Sequence, residues 1–81
     1  MTDNIEQAMG TVYLTNIGDY TIYVRVTSVS YSGGSEAFVE INPGSTYQWT
    51  RNAREVAFIQ TNDSNQGEVL IVEPGSFYSA P

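Results

Sequence analysis

The chain has 81 residues and a formal charge of −6, with three Arg and no Lys, His or Cys. Without Cys it has neither a disulfide nor a thiolate to hold zinc, and without His it lacks the side chain that ordinarily titrates near neutral pH. A chain this acidic is repelled by phosphate. The composition therefore argues against nucleic acid as a partner and disfavours anionic membrane surfaces.

The length indicates one domain near the lower limit at which a single core suffices. Because no disulfide or metal adds stability, we expect a homo-oligomer. The first residues lack the basic and apolar regions of a signal peptide, and no apolar run approaches the roughly 20 residues of a membrane span. The sequence thus predicts a cytoplasmic protein without a cofactor.

Residues 1–10 differ in character from the rest of the chain. Ile5, Ala8 and Met9 have the spacing of one helical face, but so short a helix is not stable alone in water. We therefore predict an N-terminal arm at 1–10 and a single β domain at 11–81.

The β domain is predicted from alternating apolar and polar residues, the period of a half-buried strand. The predicted strands span residues 11–17, 20–30, 36–41, 45–50, 55–61, 68–73 and 76–79. With six to seven strands and short connections, the expected fold is all-β: a small antiparallel β-sandwich or flattened barrel, mainly a meander.

The connections suggest which strands pair. Pro43-Gly44 and the short segment 51–54 predict that the third, fourth and fifth strands pair antiparallel. Pairing of the first two strands would place Val12, Leu14, Ile22, Val24 and Val26 on one inner face. The strands at 55–61 and 68–73 are apolar on both faces, so a partner subunit, the arm or a second sheet is expected to cover the second face.

Two segments of the chain resemble each other. Residues 41–47 and 72–78 both read apolar, polar, Pro-Gly-Ser and then an aromatic residue two positions on. We interpret the likeness as shared turn chemistry rather than as a duplication.

No catalytic constellation is present, and an enzyme is not expected. Neither a Ser-His-Asp nor a Cys-His arrangement can be assembled without His and Cys. Glu36, Glu40 and Glu55 could in principle serve a glycosidase, but solvated carboxylates are the simpler interpretation. The loop at 61–68 is rich in oxygen ligands, yet its glycine and glutamate do not fit the calcium-loop template, so no metal site is predicted.

The candidate ligand-binding residues are aromatic, amide and guanidinium side chains suited to sugars. They are Tyr47, Trp49, Arg51, Asn62, Asp63, Asn65, Gln66 and Tyr78. An aromatic ring stacks on the apolar face of a sugar, and planar polar groups bind its hydroxyls. The alternative, that the single tryptophan belongs to the core, remains open.

The order of several motifs resembles that of small Cys-poor β-proteins from basidiomycete fruit bodies. These motifs are Pro43-Gly44, residues 49–52 (Trp-Thr-Arg-Asn), residues 55–58 (Glu-Val-Ala-Phe) and Gly67 before an apolar strand. The similarity covers residues 11–78 and implies a fungal lectin or defence protein.

The sequence thus predicts a lectin-like carbohydrate-binding protein that is not catalytic and becomes multivalent by oligomerisation. The alternative is a self-associating structural or protein-interaction domain with no small ligand. A membrane-active defence protein is a third possibility, which the acidic charge disfavours.

Overall fold

A computed structural model of the protein describes residues 10–61 and 67–81, which form seven strands and no helix. The strands are β1 (Gly10–Asn16), β2 (Ile22–Val26), β3 (Val39–Ile41), β4 (Thr46–Arg51), β5 (Glu55–Thr61), β6 (Gly67–Val72) and β7 (Phe77–Ala80). The described part of the chain accordingly offers no helix of the length and apolarity needed to cross a membrane.

The strands form two sheets, a three-stranded one in the order β4-β1-β7 and a four-stranded one in the order β3-β2-β5-β6. Every pair is antiparallel except β1 with β7, which is parallel. The predicted all-β fold is confirmed, and it is a sandwich of two sheets rather than a closed barrel.

The core lies between the sheets and consists of alternate residues from their facing sides. Its buried apolar members are Val12, Leu14, Ile22, Val24, Val26, Ile41, Trp49, Ala57, Ile59, Val72 and Ala80. The predicted inner face of the first two strands is thus buried, but β1 and β2 belong to different sheets. The prediction that they pair was wrong, because their apolar sides meet across the core instead of side by side.

The expected antiparallel pairing of β3, β4 and β5 was also wrong. β4 lies in the three-stranded sheet, whereas β3 and β5 lie in the other. Among the described strands, only β2–β3 and β5–β6 pair with their neighbours in sequence. The remaining connections cross from one sheet to the other, so the order differs from a meander.

Both Pro-Gly turns make such crossings, and each is anchored on one end of β1. Gly44 and Gly75 have φ of 84° and 88°, the positive values that the third residue of a type II turn needs. The Gly44 amide donates to the Asn16 carbonyl at 2.8 Å, and the Gly75 amide donates to the Thr11 carbonyl at 2.7 Å. The two similar sequence segments therefore form the same type of turn.

Two predicted strands are shorter than expected, and the bounds of the others agree to within one residue. The second strand is shorter than 20–30, because Thr27 and the residues after it bind side chains from β4 and β5. The third begins at Val39, and Ala37, predicted to point inward, is exposed. Gly10 already belongs to β1, and residues 1–9 of the predicted arm lie outside the described residues.

Candidate functional site

The predicted cluster on β4 points into the molecule. Trp49 is 6% exposed and belongs to the core, and Arg51 is 2% exposed. Tyr47 tilts against Trp49 with ring centroids 4.9 Å apart, at the open edge of the same inner side. Burial of Trp49 and Arg51 removes both from any ligand-binding surface, so their prediction as ligand residues was wrong and the core alternative holds for the tryptophan.

Tyr78 lies on the same inner side of the three-stranded sheet, opposite Leu14 on β7 as Tyr47 is on β4. Tyr78 is half-buried, and its hydroxyl accepts a hydrogen bond from the backbone amide of Glu73 at 2.8 Å. The four loop residues, Asn62, Asp63, Asn65 and Gln66, lie outside the described residues. Their role in binding stays a prediction.

Arg51 is a structural cation that joins the two sheets. Its guanidinium donates to four backbone carbonyls at 2.6–3.0 Å, those of Val26, Thr27, Ser35 and Thr50. Within the described residues it forms no ion pair. The partial charges of the carbonyl oxygens therefore compensate its buried charge, and the end of β4 is fixed to the end of β2 and to the loop after it.

Glu55, at the start of β5, is the buried anion of the same region and is 3% exposed. Its carboxylate accepts hydrogen bonds from the Thr27 hydroxyl at 2.5 Å and from the amides of Ser30 and Val29 at 2.5 and 3.2 Å. Burial raises the pKa of this carboxyl, but the hydrogen bonds from Ser30, Thr27 and Val29 outweigh burial and bring the pKa below its usual value. The carboxylate is thus fully engaged in holding the loop after β2.

Glu55→Gln is expected to lower the free energy of unfolding at neutral pH by about 1–2 kcal/mol, since a charge-assisted acceptor is lost. Because folding lowers the pKa of Glu55, the ionised carboxylate stabilises the fold at any pH above its usual pKa of 4.5. This contribution is lost as the pH falls through the pKa of the folded state. Urea unfolding over a pH series should show the difference between wild type and variant shrinking in acid. The exposed Glu40→Gln is the control, and a difference independent of pH would contradict the assignment.

Glu36, another of the carboxylates considered for catalysis, is also occupied. It forms an ion pair with Arg25 at 2.9 Å and accepts the Ser28 amide at 2.8 Å. The hydrogen bond from the Ser28 amide, then that from Arg25, lowers the pKa of Glu36. Such a carboxyl stays ionised and is poorly suited to act as a general acid near neutral pH.

The outer side of the three-stranded sheet carries a different set of side chains, which we call the threonine face. It consists of Thr11, Tyr13, Thr15, Thr46, Gln48, Thr50, Phe77 and Ser79. In register, threonines lie opposite threonines at both ends of the β1–β4 pair, with Tyr13 opposite Gln48 between them. At ordinary strand spacing and rise the face measures roughly 10 by 14 Å, the scale of a short oligosaccharide.

An aromatic pair stands at the centre of the threonine face. The rings of Tyr13 and Phe77 stack at 4.4 Å between centroids and 8° between planes. Phe77 is nevertheless 75% exposed, because it lies on edge strand β7 and Tyr13 covers only one side of its ring. The other side is an open, flat, apolar surface.

The surroundings of this pair are polar but uncharged. None of the eight residues of the threonine face carries a charge, in a chain whose net charge is −6. The Thr15 and Thr46 hydroxyls share a hydrogen bond at 2.7 Å, and each retains further bonding capacity. Within the described residues the side-chain amide of Gln48 has no hydrogen-bond partner, so it is free to bind a ligand.

Two shallow cavities of about 130 and 370 Å³ lie at one end of the sandwich, around Thr61 and Pro81. They flank the connection from β5 to β6, to which the predicted loop residues belong. The described residues bring together no group of three or more side chains able to hold a metal ion. Among the described residues, the threonine face is therefore the better candidate.

The sequence analysis did not identify the threonine face as a site. The available signal was the pair of motifs Thr-x-Tyr-x-Thr at 11–15 and Thr-x-Gln-x-Thr at 46–50. Each puts three outward side chains in a row. The contribution of Phe77 was hidden, because its partner strand lies at the other end of the chain.

Comparison with known proteins gives no relative: no family model, curated protein or solved structure matches the chain.

Proposed function

We propose that the protein is a non-catalytic, lectin-like carbohydrate-binding protein whose binding surface is the threonine face. The observation that carries the proposal is the open ring of Phe77, stacked on Tyr13 and set among uncharged hydroxyl and amide side chains. A pyranose presents an apolar C–H face bordered by hydroxyls. The ring offers it a stacking platform, and Thr, Ser and Gln supply donors and acceptors for its hydroxyls.

The proposed ligand is a neutral glycan, which the protein binds without catalysing a reaction. A face without charge has no cation to attract a sulfated or carboxylated glycan, and the net charge of −6 repels one. The two carboxylates with lowered pKa, Glu36 and Glu55, are both engaged in internal hydrogen bonds. These features support binding rather than turnover.

Phe77→Ala is expected to weaken binding of a glycan found by array screening at least tenfold, because about 1.4 kcal/mol or more of stacking and apolar burial is lost. The measurement is titration followed by amide chemical shifts, which should move on β1, β4 and β7. Phe38→Ala removes another exposed phenylalanine, outside the threonine face, and should bind as wild type does.

Failure of every neutral glycan to bind at millimolar concentration would overturn the proposal. Equal losses in the two variants would overturn the assignment of the threonine face while leaving carbohydrate binding in place.

The second candidate function is self-association as a structural or protein-interaction domain. The observation that favours it is the outer side of β6, where Val69 is 65% and Ile71 is 53% exposed. Light scattering tests this candidate, and a monomer would leave carbohydrate binding in place, since a glycan-binding protein needs no self-association to occupy its site. A protein that is monomeric at high concentration would end this second candidate.

A further inference from the structure

The four-stranded sheet ends in an edge strand, β6, that has little of the usual protection. β6 pairs with β5 on one side, and no described strand pairs with its other side. Its last four residues, 69–72, are Val-Leu-Ile-Val, with no proline, lysine or charge among them. Glu68, which precedes them opposite the buried Ile59, is the one inward charge of the strand. A long apolar edge of this kind presents unpaired amides and carbonyls to another strand.

The other three edges are better protected. β3 has only three residues, and β7 has four and is followed by Pro81. β4 is as long as β6, but its outward side chains are Thr46, Gln48 and Thr50. Among the described strands, β6 therefore combines length, an apolar outer row and a free edge in a way that no other does.

We propose that β6 pairs antiparallel with β6 of a second copy of the chain, which joins the two four-stranded sheets into one eight-stranded sheet. The pairing is isologous, since each copy offers the same edge. The two-fold axis is perpendicular to the sheet and passes between the Leu70 residues of the two copies. Opposite residues of an antiparallel pair share a face. In this register Val69 of each copy therefore lies opposite Ile71 of the other copy.

The charges of the strand fit this register. Glu68 lies opposite Val72 of the other copy, and Glu73 lies opposite Gly67, so no carboxylate faces another across the ladder. Glu73 is also compensated within its own chain by Arg54, at 3.0 Å. For two chains that each carry −6, a register without opposed carboxylates lowers the electrostatic cost of contact.

The outer row beside the edge adds apolar contact. Val56 lies beside Ile71 and Phe58 beside Val69 on the same outer side, and the Arg25 guanidinium covers the Phe58 ring at 5.0 Å. The three-stranded sheet packs on the inner side only, so it does not cover this row. Pairing of β6 with its copy extends the row across the two-fold axis and shields Val69 and Ile71, the most exposed members, from water.

The dimer has a consequence for glycan binding. This consequence rests on the proposed function, whereas the pairing of β6 does not. Because the two-fold axis is perpendicular to the sheets, the threonine faces of both copies point to the same side. β7 follows β6 after only residues 73–76, so the two strands lie at the same edge of the sandwich. Both Phe77 rings therefore flank the axis, and one dimer can bind two sugars of a single glycan-coated surface.

The native chain has no Cys, so single-cysteine variants report the register cleanly. Val69→Cys mixed with Ile71→Cys and treated with oxidised glutathione should give a disulfide-linked mixed dimer, because directly opposite Cα atoms lie about 4.5–5.5 Å apart. Either variant alone should link poorly, since 69 to 69 and 71 to 71 are diagonal pairs about 7–8 Å apart. Cross-linking of each variant alone as efficiently as the mixture would overturn the register.

Sedimentation equilibrium tests the dimer without a probe. Ile71→Lys should raise the dimer dissociation constant at least tenfold, because it places one charge of each copy in the apolar row. Phe38→Lys, at an exposed site outside β6, should leave the constant unchanged. Circular dichroism of all variants checks folding, and wild-type protein that is monomeric at millimolar concentration would overturn the proposal.

The experiments distinguish failure of the β6 dimer from failure of carbohydrate binding. If the dimer is right and carbohydrate binding is wrong, wild type sediments as a dimer and binds no glycan. If only the dimer is wrong, Ile71→Lys and wild type have the same mass and bind an immobilised glycan equally. If both hold, Ile71→Lys keeps the affinity of wild type for a soluble monosaccharide and loses at least tenfold in apparent affinity on a dense glycan surface.

Discussion

Arg51→Leu is expected to lower the free energy of unfolding by about 3 kcal/mol. The substitution removes the donors of four backbone carbonyls, among them that of Val26, which is bonded in a buried setting. An acceptor left unpaired inside a protein costs about 1–3 kcal/mol, and water entering at the rim recovers part of the total. A chain of this size has about 4–12 kcal/mol in all, so the variant loses a large share of its stability.

Chemical denaturation measures this loss directly, and a thermal scan should show the midpoint falling by roughly 15 °C, at about 4–8 °C per kcal/mol for a domain of this size. Arg54→Leu is the matched control. Arg54 lies three positions along the chain and forms one exposed ion pair, with Glu73, so its replacement should cost less than about 1 kcal/mol. Equal losses for the two arginines would show that Arg51 does not join the sheets.

Arg51 also illustrates what alternation in the sequence can predict. Tyr47, Trp49 and Arg51 are alternate residues and share the inner side of β4. Alternation alone did not reveal that this side was the core. The sequence predicted a ligand role for this arginine, because three of the four carbonyls that accept its hydrogen bonds belong to β2 and the loop after it, 16 or more residues away.

The pairing of strands could not be predicted from the turns, and the reason is physical. A Pro-Gly turn reverses the chain, but it allows the two strands either to pair in one sheet or to rotate and face each other across the core. The choice is made by distant partners. The Asn16 carbonyl accepts a hydrogen bond from the Gly44 amide, and the Thr11 carbonyl accepts one from the Gly75 amide. Contacts with β1 therefore determine where β4 and β7 lie.

The same long-range dependence explains why the threonine face was missed. Thr11, Thr15 and Tyr13 are visibly outward from their alternation, but an isolated row of three is common on exposed strands. The face becomes a candidate site only when β4 and β7 flank β1 and Phe77 meets Tyr13. Those contacts depend on where the two Pro-Gly turns place β4 and β7.

Asn16→Leu is the second substitution expected to have a large effect, again about 3 kcal/mol in the free energy of unfolding. Asn16 is fully buried. Its side-chain amide donates to the carbonyls of Ile41 and Tyr20 at 2.9 and 2.8 Å, and its side-chain oxygen accepts the Gly18 amide at 2.9 Å. Leucine has a similar size but satisfies none of these groups, and each buried one left unpaired costs about 1–3 kcal/mol.

The position of Asn16 makes the effect structural as well as energetic. One residue at the end of β1 binds the carbonyl that ends β3, the connection to β2 and, through its own backbone, the Pro43-Gly44 turn. Asn16→Leu should therefore speed hydrogen exchange at the Gly18 and Gly44 amides more than at β5 and β6, besides lowering the urea midpoint. Asn42→Leu, which removes only an exposed bond from Thr21, is the control and should cost less than about 1 kcal/mol. Uniform acceleration of exchange in Asn16→Leu would mean that the residue supports overall stability alone, whereas a local effect would identify it as the group that directs the chain from one sheet to the other.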